Sequence, residues 1–541
     1  MMNRTRTDIL LIAGFCAFLF FYGLGQFGLL GADEPRYAQV AREMLEGSNW
    51  VTPVLGGKPW LEKPPLYYWQ AMLAYKLFGV NDVAARIPSA FDATLLVLGV
   101  YLFFRRFRPG VELDAALITA SSAGIVGFAR AASMEMALAA SVLWALLAWW
   151  AWHESGKRIY LAIFYASLGV GTLAKGPVAP FLSAVIVLCY ATAMRRWRDV
   201  LKTVWLPGII LFCAIAGPWY VAVQMRNPEF FRVFILEHNL GRFSTDLYHH
   251  RQPFWFYVPV VVLGLMPWIV FVASATVQSL QIWWNERNSA ATESDPELRF
   301  SVFACCWLLV PFLFFSFSQS KLPGYILPAL PAGAVLLAEY LRQQQEYFDT
   351  VPKWRIVAHA IVASAPIAPA FLIAYLVTQH KAPGGQPLYV ALGIALVLAV
   401  GIAATLLGRL GLRMLRFVTL IPVVLSVAAV LKLGPVAIDQ MLSTRPLSQS
   451  IAEMETHPLP IAVSHVPRDI EYGLAFYRNQ QVARYESSGV PAVEHLLVAP
   501  EGSQSGVVRQ VGGRRVSFLG HYAPQRVDYF WVAAAGGPSS Q

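Results

Sequence analysis

The chain has 541 residues, 57% of them apolar and only 14% charged, with a mean hydropathy of +0.51. Such a balance cannot cover a water-soluble globule and defines a polytopic membrane protein. The formal charge of +10 is scattered between apolar runs, which argues against a nucleic-acid patch.

Apolar runs long enough to cross a bilayer predict about thirteen spans. They begin with Asp8 to Leu30, Ala90 to Phe104, Leu113 to Phe128 and Met134 to Trp152. Ile159 to Leu173, Val178 to Ala193, Val204 to Val223, Phe254 to Thr276 and Phe300 to Phe317 follow. Gly324 to Leu341, Ile356 to Val377, Leu388 to Leu407 and Phe417 to Leu433 complete the set. The first run follows Arg4 and Arg6 as a signal peptide would, but it is long and no small-residue cleavage pattern follows, so a retained helix is expected. Alternate loops are basic: Arg105, Arg106 and Arg108; Lys157 and Arg158; Arg195, Arg196, Arg198 and Lys202; Arg342, Lys353 and Arg355; Arg409, Arg413 and Arg416. By the positive-inside rule these loops and the amino terminus face the cytoplasm, and an odd span count puts the carboxyl terminus outside.

Two outward loops are too long to be connectors. Residues 31–89 are rich in aromatics, and Tyr67 to Phe78 reads as an interfacial amphipathic helix. Residues 224–253 carry Glu237-His238, Arg242 and His249-His250-Arg251. Shorter outward loops each place one cation at the membrane edge: Arg130, Lys175 and Lys321. Each alone could snorkel from a helix end. Together they call for an anionic partner, because a cation in apolar surroundings costs about 2.5–3.5 kcal/mol. A phosphate or diphosphate head group meets that need.

The outward acids Asp33, Glu34, Glu62 and Glu135 supply the other half of a site. Sugar transfer from a phosphate passes through an oxocarbenium-like state and needs a carboxylate near the attacking oxygen and cations around the departing phosphate. The bland alternatives are a helix cap for Asp33, an ion pair with Arg130 for Glu135, and mutual pairing of Glu62 with Lys63. His249 and His250 with Glu62 make at most a partial metal site. Gly23-Leu24-Gly25-Gln26-Phe27-Gly28 matches a dinucleotide fingerprint only literally, since it ends a span where a strand should precede, and it reads as helix packing. Cys16, Cys189, Cys213, Cys305 and Cys306 all fall within spans and read as small apolar residues. No P-loop is present, so an activated sugar would arrive attached to a lipid.

The run Asp33-Glu34-Pro35-Arg36-Tyr37-Ala38, then Glu62-Lys63-Pro64, Lys175-Gly176, Glu237-His238, Arg242-Phe243, His250-Arg251 and Lys321-Leu322-Pro323 with Tyr325 resembles the lipid A aminoarabinose transferases. These belong to the GT-C glycosyltransferases, which use polyprenyl-phosphate sugars and include the protein O-mannosyltransferases. The resemblance covers about the first 440 residues. It implies a GT-C fold of about thirteen transmembrane helices over residues 1–440. It also implies inverting transfer, on the periplasmic face of a bacterial inner membrane, from an undecaprenyl-phosphate sugar to lipid A or another envelope acceptor. By the same resemblance Asp33 is the principal catalytic carboxylate and Glu135, where the family usually offers Asp, a second. Glu62, Lys63, Arg36, Arg130, Lys175, Arg242, Lys321 and Tyr325 would bind donor and phosphate. No cofactor is strictly required, but Glu62 and His250 match a place where the family can hold a divalent metal such as zinc.

After about Gly434 the apolar runs stop, and residues 441–541 read as a small outward α/β domain. Ile461 to Val466 and Val527 to Ala533 are strand-like, Asp469 to Arg478 is helix-like, and Gly512-Gly513 suggests a turn. No catalytic constellation shows there. A transporter or flippase is the competing class, disfavoured because the charges gather at one face and not at the midplane.

Overall fold

In the computed structural model, which describes residues 4–241, 252–287, 295–344, 351–379, 384–408 and 411–536, helices occupy every predicted span. Among the described residues eight helices are long and apolar enough to cross a membrane, or ten if each of two bent pairs counts as one span. The expected count of about thirteen is therefore not reached. The bent pairs are Glu112–Ser121 with Ala123–Ala129, kinked by 63°, and Phe254–Gly264 with Ile269–Glu286, turned by 116°. Three other runs form the helices Arg4–Cys16, Arg158–Lys175 and Val178–Ala193, which fall short in length or apolar content.

The first of these shows why a run can fail to span. Arg4–Cys16 continues into a π-helical turn, Ala17–Phe21, and the chain then breaks at Gly23 with φ 72°. The break frees carbonyl groups in apolar surroundings, where each costs several kcal/mol unless paired. Arg130 answers with hydrogen bonds to the carbonyls of Leu19, Tyr22 and Gly23 at 3.1, 2.9 and 3.1 Å. Arg86 takes those of Leu24, Phe27 and Gly28 at 2.7, 2.9 and 2.8 Å and pairs with Glu34 at 2.6 Å. The glycine-rich segment is thus a broken helix end held by two arginines, and its glycines also allow close packing, Gly25 against Val83 of the Asp82–Phe107 helix.

The well-enclosed span Glu135–Ser155 places Trp149 and Trp150 in an aromatic cluster with Tyr190, Phe300 and Phe303. The loop 31–89 begins with the helix Asp33–Glu46, continues through a hairpin of β1, Val54–Leu55, and β2, Lys58–Pro59, and then forms the helix Leu66–Phe78. That last helix buries Tyr67, Tyr68, Met72 and Tyr75 while exposing Leu73, Leu77 and Phe78. One apolar face on the protein and another turned outward fit a helix lying at the lipid surface.

The carboxyl-terminal part forms a five-stranded sheet from β3, Ile461–Val463; β4, Ala483–Arg484; β5, His495–Pro500; β6, Val516–Tyr522; and β7, Val527–Val532, in the order β4-β3-β5-β7-β6. β3 runs parallel to both β4 and β5, and β7 lies antiparallel between β5 and β6. The helix Arg468–Arg478 packs this module against Asp33–Glu46. Arg445 bridges Asp82 at 2.8 Å and Asp439 at 2.6 Å. The Tyr477 hydroxyl donates to Asp82 at 2.7 Å and accepts from the Leu29 amide at 2.6 Å. Glycine at position 28 permits this docking, since a Cβ there would overlap Ser443 and Tyr477.

Candidate functional site

The site is built where the loop 31–89 meets the ends of the Glu135–Ser155 and Arg158–Lys175 helices. Asp33 opens its helix as the first residue, where a carboxylate suits the dipole. It does not cap: Ala32 holds the cap position without a side-chain bond, and Asp33 pairs with Arg36 one turn on at 2.5 Å. Its carboxylate is 56% exposed while the Arg36 side chain is 13% exposed, so the acid faces outward from a fixed cation. Glu34, its neighbour, is buried against Arg86 and belongs to the frame.

Arg36 sits inside an aromatic collar. Its guanidinium carbon lies 5.0 Å from the Tyr37 ring centroid, 5.3 Å from Trp60 and 5.5 Å from Tyr472, the last contributed by the carboxyl-terminal module. Asp33 and Glu62 both act on it electrostatically. Beneath it Trp60 Nε1 and Tyr68 OH face each other short of hydrogen-bonding geometry. Burial pushes the Tyr37 phenol well above its ordinary value, reinforced by the charge of Asp33. Tyr37 therefore stays neutral, and its hydroxyl accepts from Arg36 at 3.3 Å while also feeling Glu135.

Glu135 starts the enclosed span and pairs with Lys175 at 2.9 Å, both side chains about one-seventh exposed. Lys175 also lies 4.7 Å from the Tyr325 ring centroid, and Lys63 acts on Glu135 through space. Gly324 makes room for this pair, because a Cβ there would overlap the Glu135 side chain. Tyr37 thus stands between two charged groups: Asp33 with Arg36 and Glu62, and Glu135 with Lys63, Lys175 and Tyr325.

Two expected phosphate cations have other occupations. Arg130 closes the broken first helix, so the expected Arg130–Glu135 pair does not form. Arg130 also lines a largely apolar cavity of about 380 Å³ with Val126, Met266, Pro366 and Val427. Lys321 is buried and donates to the carbonyls of Ser318 at 2.6 Å and Gln252 at 3.2 Å, tying two helix ends together. Arg242 and His250 lie outside the described residues. Among the described residues no group of three or more His, Cys, Asp or Glu side chains is placed to hold a metal ion. Sequence reading missed Tyr37, Trp60, Tyr68 and Tyr472, whose aromatic character looked merely interfacial, and Arg86, a lone cation in an apolar run that deserved suspicion.

The fold, a multi-span helical part with charged side chains gathered beside a small sheet domain, matches the GT-C architecture. The crystal structure of ArnT from Cupriavidus metallidurans bound to undecaprenyl phosphate matches 99% of this chain and 100% of its own, with a TM-score of 0.76 at 23% identity. Its apo form gives 0.77 at 21% identity. The family model for dolichyl-phosphate-mannose-protein mannosyltransferases matches residues 8–234. The undecaprenyl phosphate-alpha-4-amino-4-deoxy-L-arabinose arabinosyl transferase of Pseudomonas aeruginosa (strain UCBPP-PA14) is 34% identical over 356 residues, 65% of this chain and 62% of the relative. The protein of the same name from Enterobacter sp. (strain 638) is 30% identical over 348 residues, 63% of this chain and 60% of the relative. The matched region thus spans about three-fifths of those relatives' length. Over its matched region the chain is similar to these aminoarabinose transferases, and its fold is that of the GT-C glycosyltransferases.

Proposed function

We propose that this protein transfers 4-amino-4-deoxy-L-arabinose from undecaprenyl phosphate to a phosphate of lipid A. The reaction runs at the periplasmic face of the inner membrane, with the amino terminus in the cytoplasm and the carboxyl-terminal module, residues 441–541, outside. The observation that carries this reading is an outward carboxylate, Asp33, clamped by Arg36 and joined through Tyr37 to the Glu135–Lys175 pair. That pairs a negative group for the sugar with cations for a departing phosphate.

The acceptor oxygen attacks the anomeric carbon, the bond from that carbon to the donor phosphate oxygen breaks, and undecaprenyl phosphate leaves with inversion. A lipid A phosphate is already anionic, so Asp33 then orients the sugar amine and removes no proton. With a hydroxyl acceptor Asp33 would be the base. Lys63 and Lys175 neutralise the leaving phosphate, with Arg242 and Tyr325 completing its shell. The apolar cavity beside Arg130 suits an isoprenoid tail. A divalent ion such as zinc would be held by Glu62 and His250, where it would add positive charge beside the donor phosphate.

Mass spectrometry of lipid A and of polyprenyl-phosphate sugars, from cells with and without the protein and with Asp33→Asn, tests the reading. Lipid A gaining the pentosamine mass only when Asp33 is intact supports it. Unchanged lipid A with accumulating donor would redirect the acceptor to a protein or another glycan. No change in either pool would remove the transferase assignment.

A further inference from the structure

The carboxyl-terminal sheet has a topological switch point that the transfer reaction does not use. From β3 the chain crosses through Arg468–Arg478 to β4 on one side, and β5 then pairs with β3 on the other. Connections leaving β3 and β5 therefore diverge, and in open α/β sheets ligands bind in the crevice that such divergence opens at the carboxyl ends of the strands. A cavity of about 450 Å³ lies at that place, between Ser464 and His465 after β3 and Pro500, Ser503, Gly506 and Arg509 after β5.

Its lining has the chemistry of a polar-ligand site. Ser464 is 3% exposed, with its hydroxyl 2.9 Å from His465 Nδ1 and 3.2 Å from Gln510 Oε1. The Ser503 hydroxyl oxygen is buried without a partner among the described residues. Arg509 gives only its Nε, to the Ser505 carbonyl at 3.2 Å, and its terminal nitrogens meet no acceptor among the described residues. His465 holds φ 54°, a left-handed conformation that non-glycine residues seldom keep without a local reason, and its ring lies 3.2 Å from Glu486. A cation, two serine hydroxyls and an imidazole–carboxylate pair around one crevice suit a group that is both anionic and hydroxylated.

We propose that this crevice binds a phosphorylated sugar, its phosphate on Arg509 and its hydroxyls on Ser464 and Ser503. The same chemistry is offered by a soluble sugar phosphate and by the phosphorylated head group of a glycolipid. The site stands apart from Asp33 and does not depend on the transfer reading.

The test is titration of the full-length protein in nanodiscs with glucosamine 6-phosphate, followed by calorimetry, with unphosphorylated glucosamine as control. Saturable binding of the phosphorylated probe is expected, at least tenfold weaker with Arg509→Gln and with Gly506→Leu. Gly506 faces open space where a larger side chain would fill the crevice. Both variants are expected to leave undecaprenyl-phosphate binding unchanged. Displacement of the probe by vesicles containing lipid A would assign the head-group source, and persistence of the probe the soluble one. Absence of binding, equal binding of glucosamine, or full affinity in both variants would overturn the proposal.

Discussion

Glu135→Gln isolates the pair on which the phosphate side of the site rests. Glu135 and Lys175 meet at 2.9 Å with side chains 14% and 13% exposed. Coulomb's law at an effective dielectric of about 20 gives an attraction of about 6 kcal/mol at that separation, before desolvation is subtracted. Removing one partner of such a pair strands the other charge and costs about 3–5 kcal/mol. Glu135→Gln and Lys175→Met should each lose that much stability in equilibrium unfolding in mild detergent. The double variant should regain most of it, being less destabilised than either single variant. Donor affinity should part from stability: Lys175→Met and the double variant lose undecaprenyl-phosphate binding at least tenfold, whereas Glu135→Gln keeps it. Single variants that lose less than 1 kcal/mol would refute the buried-pair reasoning. A double variant with full donor affinity would reduce Lys175 to a structural partner.

Further outcomes are expected elsewhere. Asp33→Asn should lower transfer by about 10²–10⁴-fold with donor binding intact, measured by turnover beside binding, and retained turnover would remove Asp33 from the chemistry. Tyr472→Leu should reduce turnover about 2- to 30-fold, the range of one cation–π contact, while Tyr472→Phe restores it; equal loss in both variants would point to the hydroxyl instead. Burial in the sheet holds the His495 imidazole below its ordinary value of 6.5. The unfolded chain then binds the extra proton, so the module loses stability as pH falls below about 6.5, by at most about 1.4 kcal/mol per pH unit. Hydrogen exchange of β5 amides at pH 5.5 and 7.5 reads this, and His495→Gln should flatten the difference.

Span positions were legible because apolar content is local, and helices lie at every predicted run. Their number was not, because a span also depends on who satisfies its backbone. Arg130 and Arg86 reach across long sequence distances to carbonyls that no window on the first run reveals. The same blindness explains the site. Asp33, Arg36 and Lys175 stood out as charges beside apolar runs, but a charge near the membrane does not announce its partner. Lys175 turned to Glu135, and Arg130 to main-chain oxygens. In the carboxyl-terminal part β3, β7 and the helix between β3 and β4 were readable from pattern, whereas β4, with two residues, carries too little pattern to find. Tyr472 belongs to the site only through docking, which no local signal encodes.

That docking joins segments more than four hundred residues apart, with separations of 411 and 448 in two of its hydrogen bonds. Gly28, Leu29, Asp82 and Arg36 emerge early from the ribosome, and their partners Asp439, Arg445, Tyr472 and Tyr477 emerge near the end. A chain still being synthesised, or one cut short before residue 439, holds Asp33 with an unfinished rim. The collar closes only once Tyr472 has been made, so the order of translation itself withholds a finished site from fragments that have already entered the membrane.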